Sequence, residues 1–251
     1  MNNQINSTIL HCDEFTRANK YDPTWILKNS MGCNVLWLTD FLTQSFDLKA
    51  GMRVLDLGCG KGISSVFLAR EFGVHVYAVD LWESADGKWE QAKNHNVEHL
   101  ITPIKADARD LPFAKGFFDA IICVDAFIYF GTDDLYLNYI NQFLCPGGKI
   151  GMIVPGLVKE FTNGVPEHLE NFWGQDCWCW HTLPWWKQLW ERTGLVSVDT
   201  ADVLNNGCAL YTRWKETQDI AGLNPWPHDT EILKKDSGEY VGFIRMTATK
   251  N

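Results

Sequence analysis

The chain has 251 residues, 46% of them hydrophobic, enough to bury a sizeable core in one domain. Acidic residues outnumber basic ones, 31 to 22, and the net charge of −9 disfavours non-specific binding to nucleic acid. No apolar run approaches the ~18 residues that cross a bilayer. The start, Met1-Asn2-Asn3-Gln4, lacks the apolar core of a signal peptide, and the eight cysteines are then expected as reduced thiols in the cytoplasm.

Residues 1–20 are polar and expected to be loose at the start. From Pro23 to Phe46, Trp25, Ile26, Met31, Val35, Leu38 and Leu42 recur at helical spacing, with a break at Met31-Gly32. One or two helices are expected there. Arg53 to Leu57 reads as a short buried strand, and Ile63 to Phe72 as a helix. Between them Gly58, Gly60 and Gly62 make a turn that only residues without a Cβ follow cheaply. Such a turn lets a ligand approach the backbone beside the N–H groups that open the next helix. His75 to Asp80 is an apolar run closing on an acid, a second strand. Residues 83–96 form a polar helix. Ile101 to Ala108 is the third strand and its end. Ala120 to Val124 is continuously apolar, as for a strand buried on both faces. Asp133 to Leu144 is a helix, Cys145 to Lys149 a turn, and Ile150 to Val154 a fifth strand. The alternation predicts an α/β, doubly wound, mainly parallel sheet.

Residues 155–182 break that alternation. They hold Cys177, Cys179, His181, two prolines and three glycines, and six tryptophans lie between Trp173 and Trp190. A long aperiodic connection in a compact domain is usually functional, here a lid or pocket insert. Trp185 to Thr193 is a helix, and Leu195 to Thr200 a strand. Cys208 to Trp214 and Tyr240 to Thr249 alternate as strands, with a helix or loop at 215–238 between them. No repeat or linker divides the chain, so residues 1–251 are expected as one domain.

The glycine turn discriminates between ligands. A dinucleotide fingerprint would put its third glycine at 63, where Ile63 stands. Asp56, just before the loop, would repel a pyrophosphate but hold a cationic amino group. S-adenosylmethionine carries such an ammonium, and a sulfonium. Asp56-Leu57-Gly58-Cys59-Gly60-Lys61-Gly62 resembles motif I of the class I methyltransferases that use this cofactor. Leu144-Cys145-Pro146-Gly147-Gly148 is similar to that family as well, and the likeness covers roughly 50–155. The resemblance implies a seven-stranded sheet with helices on both faces, and S-adenosyl-L-methionine across the carboxyl ends of strands one to four. It assigns Asp56 and Gly58 to the methionine portion, with Cys59 and Gly60 also binding the cofactor. Asp80, beside Leu81 and Trp82, goes to the ribose, and Asp107 with Ala108 to adenine. Asp125 lies beside the sulfonium, with Phe127 and Tyr129 at the reaction centre. It also implies an N-terminal helical cap over about 20–48, in which Tyr21, Trp25 and Trp37 face the cleft or, alternatively, pack in the core.

Methyl transfer from a sulfonium needs mainly orientation and desolvation. A protonated acceptor also needs a base. Asp125, Tyr129 and His181 are the catalytic candidates, with His168 a fourth possible base. Cys177-Trp178-Cys179-Trp180-His181 has thiolates that suit soft ions, but C-x-C-x-H is poor spacing for zinc, and no metal is assigned. The signature of base-amino methylation is absent after strand four. The expected function is methyl transfer to a small-molecule acceptor by a monomer or homodimer. The alternatives are a protein that binds S-adenosylmethionine or S-adenosylhomocysteine without turnover, and an arsenite-type methyltransferase. A nicotinamide oxidoreductase is disfavoured by Ile63.

Overall fold

The computed structural model describes residues 8–251. The loose start is outside those residues as far as 1–7 are concerned. From Thr8 the chain is tied down, with Leu10 and Phe15 buried and Arg213 donating to the carbonyls of Ile9 and His11.

Seven strands form one sheet in the order β3-β2-β1-β4-β5-β7-β6. They are β1 (Arg53–Leu57), β2 (His75–Asp80), β3 (Ile101–Lys105), β4 (Phe118–Val124), β5 (Leu144–Leu157), β6 (Val196–Val203) and β7 (Val241–Lys250). The pairs among β1 to β5 are parallel, and β7 runs antiparallel to both β5 and β6. Crossovers leave β1 toward β3 in one direction and β4 toward β6 in the other. Right-handed connections therefore put α3 (Ile63–Phe72) and α4 (Ala85–Asn94) on one face. They put α5 (Tyr136–Asn141) and α6 (Leu183–Glu191) on the other. The direction changes between β1 and β4, where open α/β sheets place their ligands.

Two helices precede the sheet. In α1 (Pro23–Asn29), proline stands at the first turn and the Asp22 side chain caps the Thr24 N–H. In α2 (Val35–Thr43), the Asn34 side chain caps Leu36 and Trp37. The expected break at Met31-Gly32 lies between them. Tyr21, Trp25 and Trp37 are spent on packing and hydrogen bonds to Glu71, Gln91 and the Leu10 carbonyl.

The structure corrects three element assignments. Cys208–Trp214 is not a strand but the start of α7 (Gly207–Ala221), and α8 (Asp229–Asp236) follows. Over seven residues Cys208, Leu210, Thr212 and Trp214 satisfy a period of two. The buried stripe of Cys208, Tyr211, Trp214, Lys215 and Gln218 emerges only over the longer helical window. The turn at 145–148 is a bulge inside β5, where the register against β4 jumps from Leu144 to Lys149. Finally, α5 starts at Tyr136 because the Asp133 carboxylate captures the Leu135 N–H in a turn.

Candidate active site

The glycine loop hangs from the end of β2, with the N–H groups of Gly58 and Cys59 both donating to the Val79 carbonyl, at 2.9 and 3.0 Å. Gly58, Gly60 and Gly62 have φ of 73°, 52° and 83°. A Cβ on Gly58 would also run into the Cβ of Ala126 after β4, and one on Gly60 would stand 2.9 Å from Met31 Sδ. The loop therefore lies under two neighbours, the β4 end and the link between α1 and α2.

Asp56 ends beneath this loop, 1% exposed. Its Oδ2 accepts from Ser64 and Ser65 Oγ at 2.7 and 2.6 Å, and its Oδ1 has no partner. Burial pushes its pKa up to about 6 against the pull of the two serines. An orphaned carboxylate oxygen beside a glycine loop fits a ligand ammonium.

Asp80 is more committed than its position suggests. Oδ2 accepts from the Gly60 N–H at 2.9 Å, and Oδ1 from the N–H groups of Trp82 and Glu83 at 2.8 and 2.9 Å. With about four acceptor sites on a carboxylate, one remains for a ribose hydroxyl, not two. Leu81 and Trp82 are exposed beside it, Trp82 by 69%. Asp107 accepts from the Arg109 N–H at 2.8 Å, while Arg109 also donates to the Tyr129 carbonyl at 3.1 Å. The Ala108 carbonyl accepts from Tyr136 Oη. Arg109 thereby ties the β3 and β4 ends together.

At the end of β4, Asp125 has φ of 61°, a left-handed conformation that costs a non-glycine residue on the order of 1–2 kcal/mol. Its N–H donates to the Ile153 carbonyl, and its Oδ2 accepts from the Cys33 N–H at 3.0 Å. A Cβ at Gly32 would strike that same oxygen. Burial raises the Asp125 pKa, while the Cys33 backbone and side chain and the Lys215 charge pull it down. Tyr129 is 48% exposed, and burial, then the charges of Asp125 and of Asp176 in the segment 155–182, push its phenol pKa up.

His181 sits at the far end of β5. Its carbonyl accepts from the Leu157 N–H, its ring stacks on Trp185 at 3.6 Å, and burial lowers its pKa against Glu160. Asp125 and Tyr129 are thus brought together, and His181 is held by a different set of neighbours. His168 bonds buried Asp236 at 3.1 Å and pins the segment 155–182 to α8. The Cys177 and Cys179 thiols donate to the carbonyls of Phe172 and Asp176. Among the described residues, no three His, Cys, Asp or Glu side chains form a metal-sized group.

Sequence reasoning missed Cys33, Tyr211 and Lys215. Cys33 and Tyr211 line one cavity of about 10 Å³ with Asn34 and Trp214, and Trp214 Nε1 donates to the Gly32 carbonyl at 2.9 Å. The signal is a lysine on the buried stripe of α7, a stripe split in sequence between the strand-like Cys208–Trp214 and the helix or loop expected from 215.

Residues 54–148 match the model of a family described as a methyltransferase domain. Over that segment the chain is similar to a methyltransferase domain. It is 28% identical over 134 residues to methyltransferase GfsG of Streptomyces halstedii, covering 52% of this chain and 48% of that protein. It is 30% identical over 105 residues to a glycine/sarcosine/dimethylglycine N-methyltransferase of Actinopolyspora halophila, covering 41% and 19%. The chain thus spans less than half the length of these curated relatives. Haemonchus contortus phosphoethanolamine N-methyltransferase 2, solved with phosphomonomethylethanolamine and S-adenosylhomocysteine, superposes with a TM-score of 0.71 at 19% identity. That superposition covers 96% of this chain and 59% of that one, and it extends the shared fold beyond the matched methyltransferase segment.

Proposed function

We propose that this methyltransferase domain moves the methyl group of S-adenosyl-L-methionine to a small-molecule acceptor. The observation that carries the proposal is the buried, unpartnered Oδ1 of Asp56 beside the glycine loop. When bound, the cofactor supplies a methyl group already activated on a sulfonium. Asp56 holds its ammonium, and Gly58 to Gly60 let its methionine portion lie against the backbone. Asp80 takes one ribose hydroxyl, Leu81 lies beside it, and Asp107 and Ala108 border adenine. Asp125 and Tyr129 face the acceptor, with the lid at 155–182 excluding water. His181 has the least support for a catalytic role, since its contacts are with Trp185 and Glu160.

Turnover, rather than binding alone, is supported by the strained Asp125 held at the end of β4, because stored backbone strain clusters at reaction centres. The net charge of −9 argues for a small acceptor over a polynucleotide. Among the described residues no helix is long and apolar enough to cross a membrane, and all eight cysteines are free thiols, which suits the cytoplasm. We place the protein there as a monomer or homodimer.

Calorimetric titration tests the cofactor directly. S-adenosylhomocysteine should bind and NAD should not. Asp80→Ala should weaken S-adenosylhomocysteine binding by about 1.5–3 kcal/mol. Binding of NAD in place of S-adenosylhomocysteine would overturn the proposal, and unchanged affinity in Asp80→Ala would remove Asp80 from the site.

A further inference from the structure

The polar helix expected at 83–96 carries a lysine that the fold buries. Lys88, on α4, is 2% exposed, and with Ala92 it makes up the buried face of that helix. Its Nζ donates to the Ile104 carbonyl at 2.9 Å and to the Glu83 carbonyl at 3.3 Å. Both partners are neutral, and among the described residues no carboxylate forms an ion pair with it. Burying a charge without a counter-ion is costly, and an apolar side chain of similar volume fills such a place at less cost. Packing alone therefore gives no reason for a lysine at 88. The groups that its ammonium grips do.

Those groups border the glycine loop. Ile104 pairs with Val79 near the end of β3, three residues before Asp107. Glu83 closes the turn after β2 and is held at both ends. Its N–H donates to Asp80 Oδ1 at 2.9 Å, and its carbonyl accepts from Lys88. Between Asp80 and Glu83 the turn presents Leu81 and Trp82, 48% and 69% exposed. The stem of Lys88 lies along the glycine loop, where a Cβ on Gly62 would stand 3.4 Å from Lys88 Cγ. One side chain thus meets the glycine loop, the turn after β2 and the end of β3, three segments far apart in sequence. Its charge also reaches Asp56, where burial raises the pKa while the two serines and then Lys88 lower it.

We propose that Lys88 is a positioning residue for the cofactor, holding the turn at 81–83 and the end of β3 at the separation that admits the adenosine half of S-adenosyl-L-methionine. This rests on the methyltransferase reading and adds to it a residue that acts through two backbone carbonyls. With both carbonyls held, Asp80 keeps its remaining acceptor site toward the ribose, and Leu81 and Asp107 keep a fixed spacing at neighbouring strand ends. Without the ammonium the turn loses its tie to β3, and adenosine binding must first restore that spacing. The amino-acid half of the cofactor, over Asp56 and Gly58, does not depend on this tie.

The test compares two ligands in the full chain and in Lys88→Met. One is S-adenosylhomocysteine. The other is 5′-methylthioadenosine, which has the adenosine half and lacks the amino and carboxylate groups. Calorimetry gives both affinities, with circular dichroism and urea unfolding alongside. Folded Lys88→Met should bind both ligands about 10-fold or more weakly, and by the same factor. If Lys88→Met fails to fold, Lys88→Gln keeps an amide donor on a shorter, uncharged stem and should show the same equal loss. A lysine that merely anchors α4 would lower the urea midpoint and leave both affinities of the folded variant unchanged, and that result overturns the proposal. So does a loss confined to S-adenosylhomocysteine, which would put Lys88 with the amino-acid half. Wild-type protein that binds S-adenosylhomocysteine but not methylthioadenosine overturns it as well, and leaves the cofactor assignment standing. Failure of the wild type to bind S-adenosylhomocysteine removes the methyltransferase reading itself.

Discussion

The two sides of the site are built by different means. On the proposed cofactor side, over β1, β2 and β3, the carboxylates are matched by backbone N–H groups and serine hydroxyls from the turns and helix that adjoin β1 and β2. Gly60 and the pair Trp82 and Glu83 hold Asp80, and Ser64 and Ser65 hold Asp56. On the proposed acceptor side, Cys33, Asp125, the α7 residues Tyr211 and Lys215, and Asp229 come from four separate places in the chain and meet largely through side chains. A ligand shared by many enzymes is met by a local motif, and a particular acceptor by a long-range assembly.

The sharpest way to break this contrast is Gly58→Ala. The change forces a residue with a Cβ into φ of 73° and against Ala126. The backbone alone costs about 1–2 kcal/mol, and S-adenosylhomocysteine affinity should fall by roughly 100-fold or more, as calorimetry would show. Native affinity in the variant would mean that the cofactor does not lie on this loop.

Next in size is a pH effect confined to the cofactor side. Burial raises Asp56 from the ordinary carboxylate range to about 6. Because the folded value exceeds the unfolded one, the native state keeps a proton that the unfolded chain has lost. Stability should therefore fall by about 3 kcal/mol as pH rises from roughly 4 to 6, and stay at that level above. Urea unfolding of wild type and Asp56→Asn across this window checks it, since the variant should lose that component of the slope. Affinity for the ammonium-bearing S-adenosylhomocysteine should run the other way, rising over the same window. A pH-independent affinity would detach the ammonium from Asp56.

The smallest effect sharpens the other side. Trp214→Phe removes the hydrogen bond to the Gly32 carbonyl and should cost about 1 kcal/mol in urea unfolding. It should raise acceptor KM and leave S-adenosylhomocysteine affinity alone. Equal damage to both constants would mean that the two sides are not separable.

Legibility followed the same division. The bounds of β1, α3 and β2 were readable to the residue, because a buried strand, a glycine turn and an amphipathic helix each announce themselves within ten residues. The motif residues Asp56, Gly58 and Asp80 do converge. What was not readable was the degree to which Asp80 is already occupied, since its partners are backbone groups with no signature. The acceptor wall was hidden for a plainer reason. Cys208 to Trp214 fits both periods over seven residues, so the start of the helix, with Tyr211, reads as a strand, and Lys215 falls in the helix or loop expected after it. His181, an attractive base in sequence, turns out to be stacked on a tryptophan beside it. No local pattern reveals that.

Met31, Gly32 and Cys33 form a seam with consequences for the timing of the reaction. Met31 rests over Gly60, the Gly32 carbonyl is held by Trp214, and the Cys33 N–H is bonded to Asp125. Three consecutive residues thus serve as roof for one compartment and partition for the other. Any motion that lifts the roof to exchange spent cofactor also draws the partition away from Asp125. In the proposed reaction, exchange of spent cofactor and opening of the acceptor compartment would then be one event.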